Sequence, residues 1–131
     1  SEMPGLDPEV FHTVRLRARG YPRICLVPGK GDGIYDWEEH TLLFPLVPTK
    51  SAAQTVTHAF ALMRWDADED RELKDTYAAL KDNKGKSHTG LQEAFVKDYL
   101  VWITKETRGY RILPKDKYKW FRWQIAREHT F

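Results

Sequence analysis

The stretch Lys115-Asp116-Lys117-Tyr118-Lys119-Trp120-Phe121-Arg122-Trp123 interleaves cationic and aromatic side chains. Ammonium and guanidinium groups hold phosphates or carboxylates, while neighbouring rings stack on unpaired bases or fill pockets on a protein partner. On a helix, Tyr118, Phe121 and Ile125 share one face, and Trp120 and Trp123 lie about one turn apart on another. If the first face is core, the second is either covered by the rest of the fold or offered outward. Tryptophans in a small domain are usually buried, with lysine and arginine stems draped over them. Left exposed beside Lys119 and Arg122, the pair would form an apolar patch of the kind that marks an interaction site. Lys117, Lys119, Trp120, Arg122, Trp123 and Arg127 are accordingly the candidate partner-binding residues, with a protein as the expected partner. A nucleic acid is the alternative, and it requires Lys115, Lys117, Lys119, Arg122 and Arg127 to share a face with Arg108 and Arg111.

Three other groups invite a chemical reading. Glu38-Glu39-His40, with His58 brought near by the fold, would make a small hydrolase-type site in which a carboxylate orients an imidazole as general base. The same residues also read as a solvent-facing strand connection. Gly29-x-Gly31-x-Gly33 follows an apolar run and contains Lys30 and Asp32, so backbone N–H groups there could converge on an anion. The spacing fits neither dinucleotide nor P-loop patterns, and Asp36, Glu38 and Glu39 follow where a phosphate would be repelled. A hairpin-type turn formed by Asp32-Gly33 is the expected structure, with Lys30 and Asp32 as candidate loop contacts.

Asp66, Asp68 and Asp70 match the first ligand positions of a calcium loop, but Arg71 and Tyr77 stand where glycine and the bidentate glutamate belong. Acids at the start of a helix explain them without an ion. The five histidines, His12, His40, His58, His88 and His129, show no local ligand spacing with one another or with Cys25, so no metal or cofactor is expected. Cys25, between Ile24 and Leu26, reads as an inert small hydrophobe.

The 131 residues suffice for one domain with a core of its own and are too few for two. With 21 basic and 19 acidic side chains the net charge is only +2, which does not by itself mark a nucleic-acid binder. The distribution is less even: nine acids against four bases between Asp36 and Asp75, and eight bases against two acids between Lys105 and Arg127. Such an asymmetry creates a field on one face or neutralises itself where the regions touch. A single cysteine favours a reducing compartment, and no apolar run approaches the about 18 residues of a membrane span. A cytoplasmic protein is the default. Either end could be a cut from a longer polypeptide.

The elements that must position these residues are mostly helical. Thr89 to Gly109 is the clearest: a Thr89-x-x-Gln92 capping box opens it, and Lys105, Arg108 and Gly109 close it. Leu91, Phe95, Tyr99, Trp102 and Ile103 recur at helical spacing, and Val96, Leu100 and Val101 widen the apolar sector, leaving a polar strip at Glu93, Lys97 and Thr104. A helix that apolar should be buried over most of its circumference. Asp7-Pro8-Glu9 opens an N-terminal helix, against a competing strand where Val14–Arg19 alternates apolar with basic; Ser51-x-x-Gln54 opens another reaching about Trp65, Asp66–Asp70 a third anchored by Leu73, Tyr77 and Leu80, and Asp116 caps the last. Ile24–Val27 and Thr41–Phe44 are short apolar runs bounded by proline, expected to pair antiparallel.

The expectation is therefore a helix-dominated α+β domain, with four to five helices around a central one at about 89–108 and a small antiparallel hairpin at about 23–44. Functionally it is expected to be a non-catalytic protein-interaction or regulatory module of a larger intracellular protein.

Overall fold

The computed structural model describes residues 19–67 and 71–126. Among the described residues it is an α+β fold of four helices and a small three-stranded sheet. The proline-bounded runs become β1 (Arg23–Gly31) and β3 (Thr41–Pro48), and a third strand, β2 (Ile34–Asp36), lies between them in sequence. The spatial order is β1-β3-β2, with β3 parallel to β1 and antiparallel to β2. The expected antiparallel pairing of Ile24–Val27 with Thr41–Phe44 is thus a parallel one, in register Ile24 to Leu42 and Leu26 to Phe44.

The chain achieves this by crossing past the end of β3 after Gly31 and returning on its far side as β2. Thr49 fastens the crossing: its N–H donates to the Gly31 carbonyl at 3.2 Å, and its hydroxyl donates to Asp32 Oδ1 at 3.4 Å. The hairpin in the fold is β2–β3. Asp36 Oδ1 nucleates its turn by accepting from the backbone N–H groups of Glu38 and Glu39.

The helices are α1 (Ala52–Asp66), α2 (Glu72–Ala78), α3 (His88–Thr104) and α4 (Lys115–Gln124), with single 3-10 turns at Lys81–Asn83 and Glu106–Arg108. Ser51 caps α1 as expected, its hydroxyl accepting from Gln54 N–H at 3.2 Å. The cap of α3 is Ser87 instead of Thr89, accepting from Gly90 N–H at 3.0 Å. Gly90 makes room for it, since a Cβ there would lie 3.2 Å from the Ser87 hydroxyl. Gly109 is left-handed, with φ 94, at the close of the 3-10 turn that follows α3. Asp66 ends α1 instead of opening α2, which begins after Arg71, and Asp116 lies within the first turn of α4 after Pro114 at the cap position. The N-terminal helix expected from Asp7-Pro8-Glu9 falls outside the described residues.

Phe95 of α3 is the meeting point of the aromatic core. Its ring lies 5.0 Å from Trp65 of α1, 5.6 Å from Tyr77 of α2, and 6.1 Å from both Trp120 and Phe121 of α4. Trp102, two turns further along α3, stacks on Phe121 at 5.6 Å. Beside these rings lies a polar centre. The buried Asp98 carboxylate accepts from the Tyr77 hydroxyl at 2.5 Å and pairs with Lys117 Nζ at 2.7 Å, so one side chain of α3 holds both α2 and α4.

The sheet joins the helices through α1, which touches β2 and β3 as well as α3. Tyr35 and Leu42 supply its buried face. The approach is close: a Cβ on Gly33 would sit 2.2 Å from the Thr55 carbonyl oxygen. The third glycine of the turn is there for backbone contact with a helix. β1 lies at the edge beyond this cover, so Ile24 and Leu26 are 68% and 64% exposed, and Cys25, read as a small hydrophobe, is exposed with them.

Two measurements check this packing. Gly33→Ala is expected to lower the free energy of urea unfolding by about 1–3 kcal/mol, because helix and strand must part, whereas Gly31→Ala, with open space around it, should stay within about 0.5 kcal/mol. The second concerns Tyr77, whose phenol is pushed far above its ordinary value of 10.0 by burial and by the Asp98 carboxylate. The folded chain keeps that proton while the unfolded chain releases it. The contribution is therefore full below the ordinary tyrosine value and falls as pH rises beyond it, at a rate of up to about 1.4 kcal/mol per pH unit. Tyr77→Phe should start less stable at neutral pH and lose less stability than the parent in urea titrations between about pH 9 and pH 11.

Candidate functional site

On α4 the structure separates the residues nominated from the sequence. Trp120 and Lys117 turn inward with Phe121, Gln124 and Ile125. Trp120 packs 4.9 Å from the Tyr77 ring, and its indole N–H donates to the Thr76 hydroxyl at 2.9 Å. Lys117 is spent on Asp98. Neither is available to a partner: α2 supplies the ring and hydroxyl that hold Trp120, and α3 supplies the carboxylate that holds Lys117.

Lys119 is exposed, Arg122 is half-buried and Trp123 is 42% exposed, so these three occupy the outward side. Two guanidinium groups lie over the Tyr118 ring, Arg111 at 4.1 Å and Arg122 at 5.7 Å. Cations over a ring face are attracted by its quadrupole, which holds the segment before α4 against the helix. Arg127 lies outside the described residues.

The Glu38-Glu39-His40 group is not arranged as a general base. His40 is buried with φ 49 and has both ring nitrogens engaged. Nε2 donates to the Gly20 carbonyl at 2.7 Å, so Nδ1 must accept from the Tyr35 hydroxyl, also at 2.7 Å. No nitrogen is left to take a substrate proton. Glu38 and Glu39 are exposed, and Glu39 pairs with an exposed Arg23 at 3.3 Å. Lys30 is exposed on β1, and Asp32 is half-buried and engaged with Thr49 in the chain crossing. Among the described residues no group of His, Cys, Asp and Glu is placed to hold a metal ion, and no helix is long and apolar enough to cross a membrane.

A groove of about 500 Å³ between α1 and α3 was not anticipated. Leu62, Val96, Leu100 and Val101 line its apolar part together with Ile112 from the segment before α4, and Lys50, Lys97 and Lys105 also line it with His58. His58 is held in place by donating from Nδ1 to the Gly33 carbonyl at 2.5 Å, so the close contact of Gly33 with α1 also fixes this ring. The sign of the groove was present in the sequence. Val96, Leu100 and Val101 widen the apolar sector of α3 beyond what its neighbours cover, so that Leu100 and Val101 remain half-buried.

Comparison with protein-family models, curated proteins and solved structures finds no match for this chain.

The division of α4 into two sides is tested by its two tryptophans. Trp120→Ala should cost about 3–5 kcal/mol in chemical denaturation, as a buried indole does, and Trp123→Ala no more than about 1 kcal/mol.

Proposed function

We propose that this chain is a non-catalytic protein-interaction or regulatory module of a larger intracellular protein, and that the outward side of α4 meets the partner. The observation that carries the reading is Trp123, exposed beside Lys119 and Arg122 on a helix whose other side is buried. Aromatic and arginine side chains dominate binding hot spots because they bring large area and fixed donors at little conformational cost. The stacked Arg111, Tyr118 and Arg122 side chains extend the same surface with positive charge. A partner that fits it carries an apolar pocket for the indole and carboxylates around its rim, since charge complementarity steers association.

The engagement of both His40 nitrogens favours a binding role over the hydrolase reading. The basic surface also suits phosphates, and the test separates the two partner classes. The intact chain and a Trp123→Ala/Lys119→Glu/Arg122→Glu variant, matched for folding by circular dichroism, are used to capture proteins from nuclease-treated lysate. A protein retained by the parent and lost by the variant supports the proposal. Equal retention by both contradicts it. Salt-sensitive binding of labelled RNA or DNA in fluorescence anisotropy, lost in the same variant, would assign this face to nucleic acid instead.

A further inference from the structure

We propose that the groove between α1 and α3 is a second docking site, which receives an amphipathic helix with acidic flanks from a protein partner. No residue of α4 lines the groove, so the two readings are tested independently.

The lining residues recur at helical spacing on both walls. Gln54, His58 and Leu62 follow one another at i, i+4 and i+8 on α1, and Val96, Leu100 and Thr104 do so on α3. At 1.5 Å per residue these rows extend about 12 Å each, and Gln92 lengthens the α3 wall to about 18 Å, which is two to three turns of a third helix. Rows at i±4 spacing on adjacent helices are the ridges between which the side chains of another helix pack. A compact ligand would need no such extended, regular walls.

The chemistry of floor and rim specifies the occupant further. Leu62, Leu100 and Val101 are half-buried, and Val96 is buried at the bottom. The Thr104 hydroxyl donates back to the Leu100 carbonyl at 2.6 Å, so its proton makes no demand on a ligand. Burial of apolar side chains at i, i+4 and i+7 of an incoming helix would remove this strip from water. Lys50, Lys97 and Lys105 are exposed around the groove against the single acid Glu93, so the rim carries a net positive charge of +2. An incoming helix with Asp or Glu beside its apolar face is complementary to it, and one with lysines there is repelled.

The test is selection of a displayed library of helical peptides of about 14 residues against the intact chain. The expected outcome is a family with apolar residues at helical spacing flanked by Asp and Glu. A labelled synthetic member should bind about tenfold more weakly to Val101→Arg and to Lys97→Glu/Lys105→Glu in fluorescence anisotropy. Replacement of its acids by lysine should restore binding to the charge-reversed protein, which general damage to the fold would not do. Trp123→Ala should leave its affinity unchanged. Three results would overturn the proposal: no helical family enriched, selected peptides that bind the groove variants as tightly as the parent, or selected peptides that depend on Trp123. If no family emerges and a medium-chain fatty acid binds with the same sensitivity to Val101→Arg, the groove belongs to a small amphiphile and not to a helix.

Discussion

A carboxylate buried among aromatic rings demands compensation, and Asp98 obtains it from two different helices. Tyr77 donates from α2 and Lys117 pairs from α4, while Asp98 itself belongs to α3. Leaving any of these groups alone in the interior would cost more than the pair gains over an apolar replacement. The consequence is positional more than energetic. With Lys117 drawn to Asp98, α4 can turn only one way: Trp120 and Phe121 enter the ring cluster around Phe95, and Trp123 faces outward. The binding surface proposed for α4 is the remainder left by that orientation.

The same economy of helix faces produces the groove. α1 spends one part of its surface on the sheet, where Gly33 admits the Thr55 carbonyl, and another on α3. α3 spends its Phe95, Asp98 and Trp102 side on the ring cluster and the ion pair. Its apolar surplus at Leu100 and Val101 is left half-covered beside α1. Exposed apolar area rimmed by charge is the feature on which the docking proposal rests.

Much of the helical framework was legible in the amino-acid sequence, because capping residues and apolar periodicity are local signals. Ser51 capped its helix as read, and the start of α3 moved by two residues because Ser87 caps where Gly90 leaves room. Strand direction was not legible, since an apolar run carries the same pattern in either orientation and the three residues of β2 are too few to show alternation. The burial of Lys117 and Trp120 depends on Asp98, Thr76 and Tyr77, whose proximity is a tertiary fact. One clue was available: Asp98 falls on the Phe95 and Trp102 face of α3, and an acid on an apolar face needs a partner. The burial of His40 was hidden for a related reason, as its second partner is the Gly20 carbonyl far back in the chain.

The central claim, that a buried ion pair holds α4 in its orientation, is tested most directly by a double-mutant cycle of Asp98→Ala and Lys117→Ala in urea unfolding. Each single change should cost about 3–5 kcal/mol, while the double variant should cost about 2 kcal/mol or more below the sum, because the second removal relieves the charge stranded by the first. Additive losses would mean that the two side chains are not coupled, and the orientation of α4 would then have to rest on the aromatic rings alone.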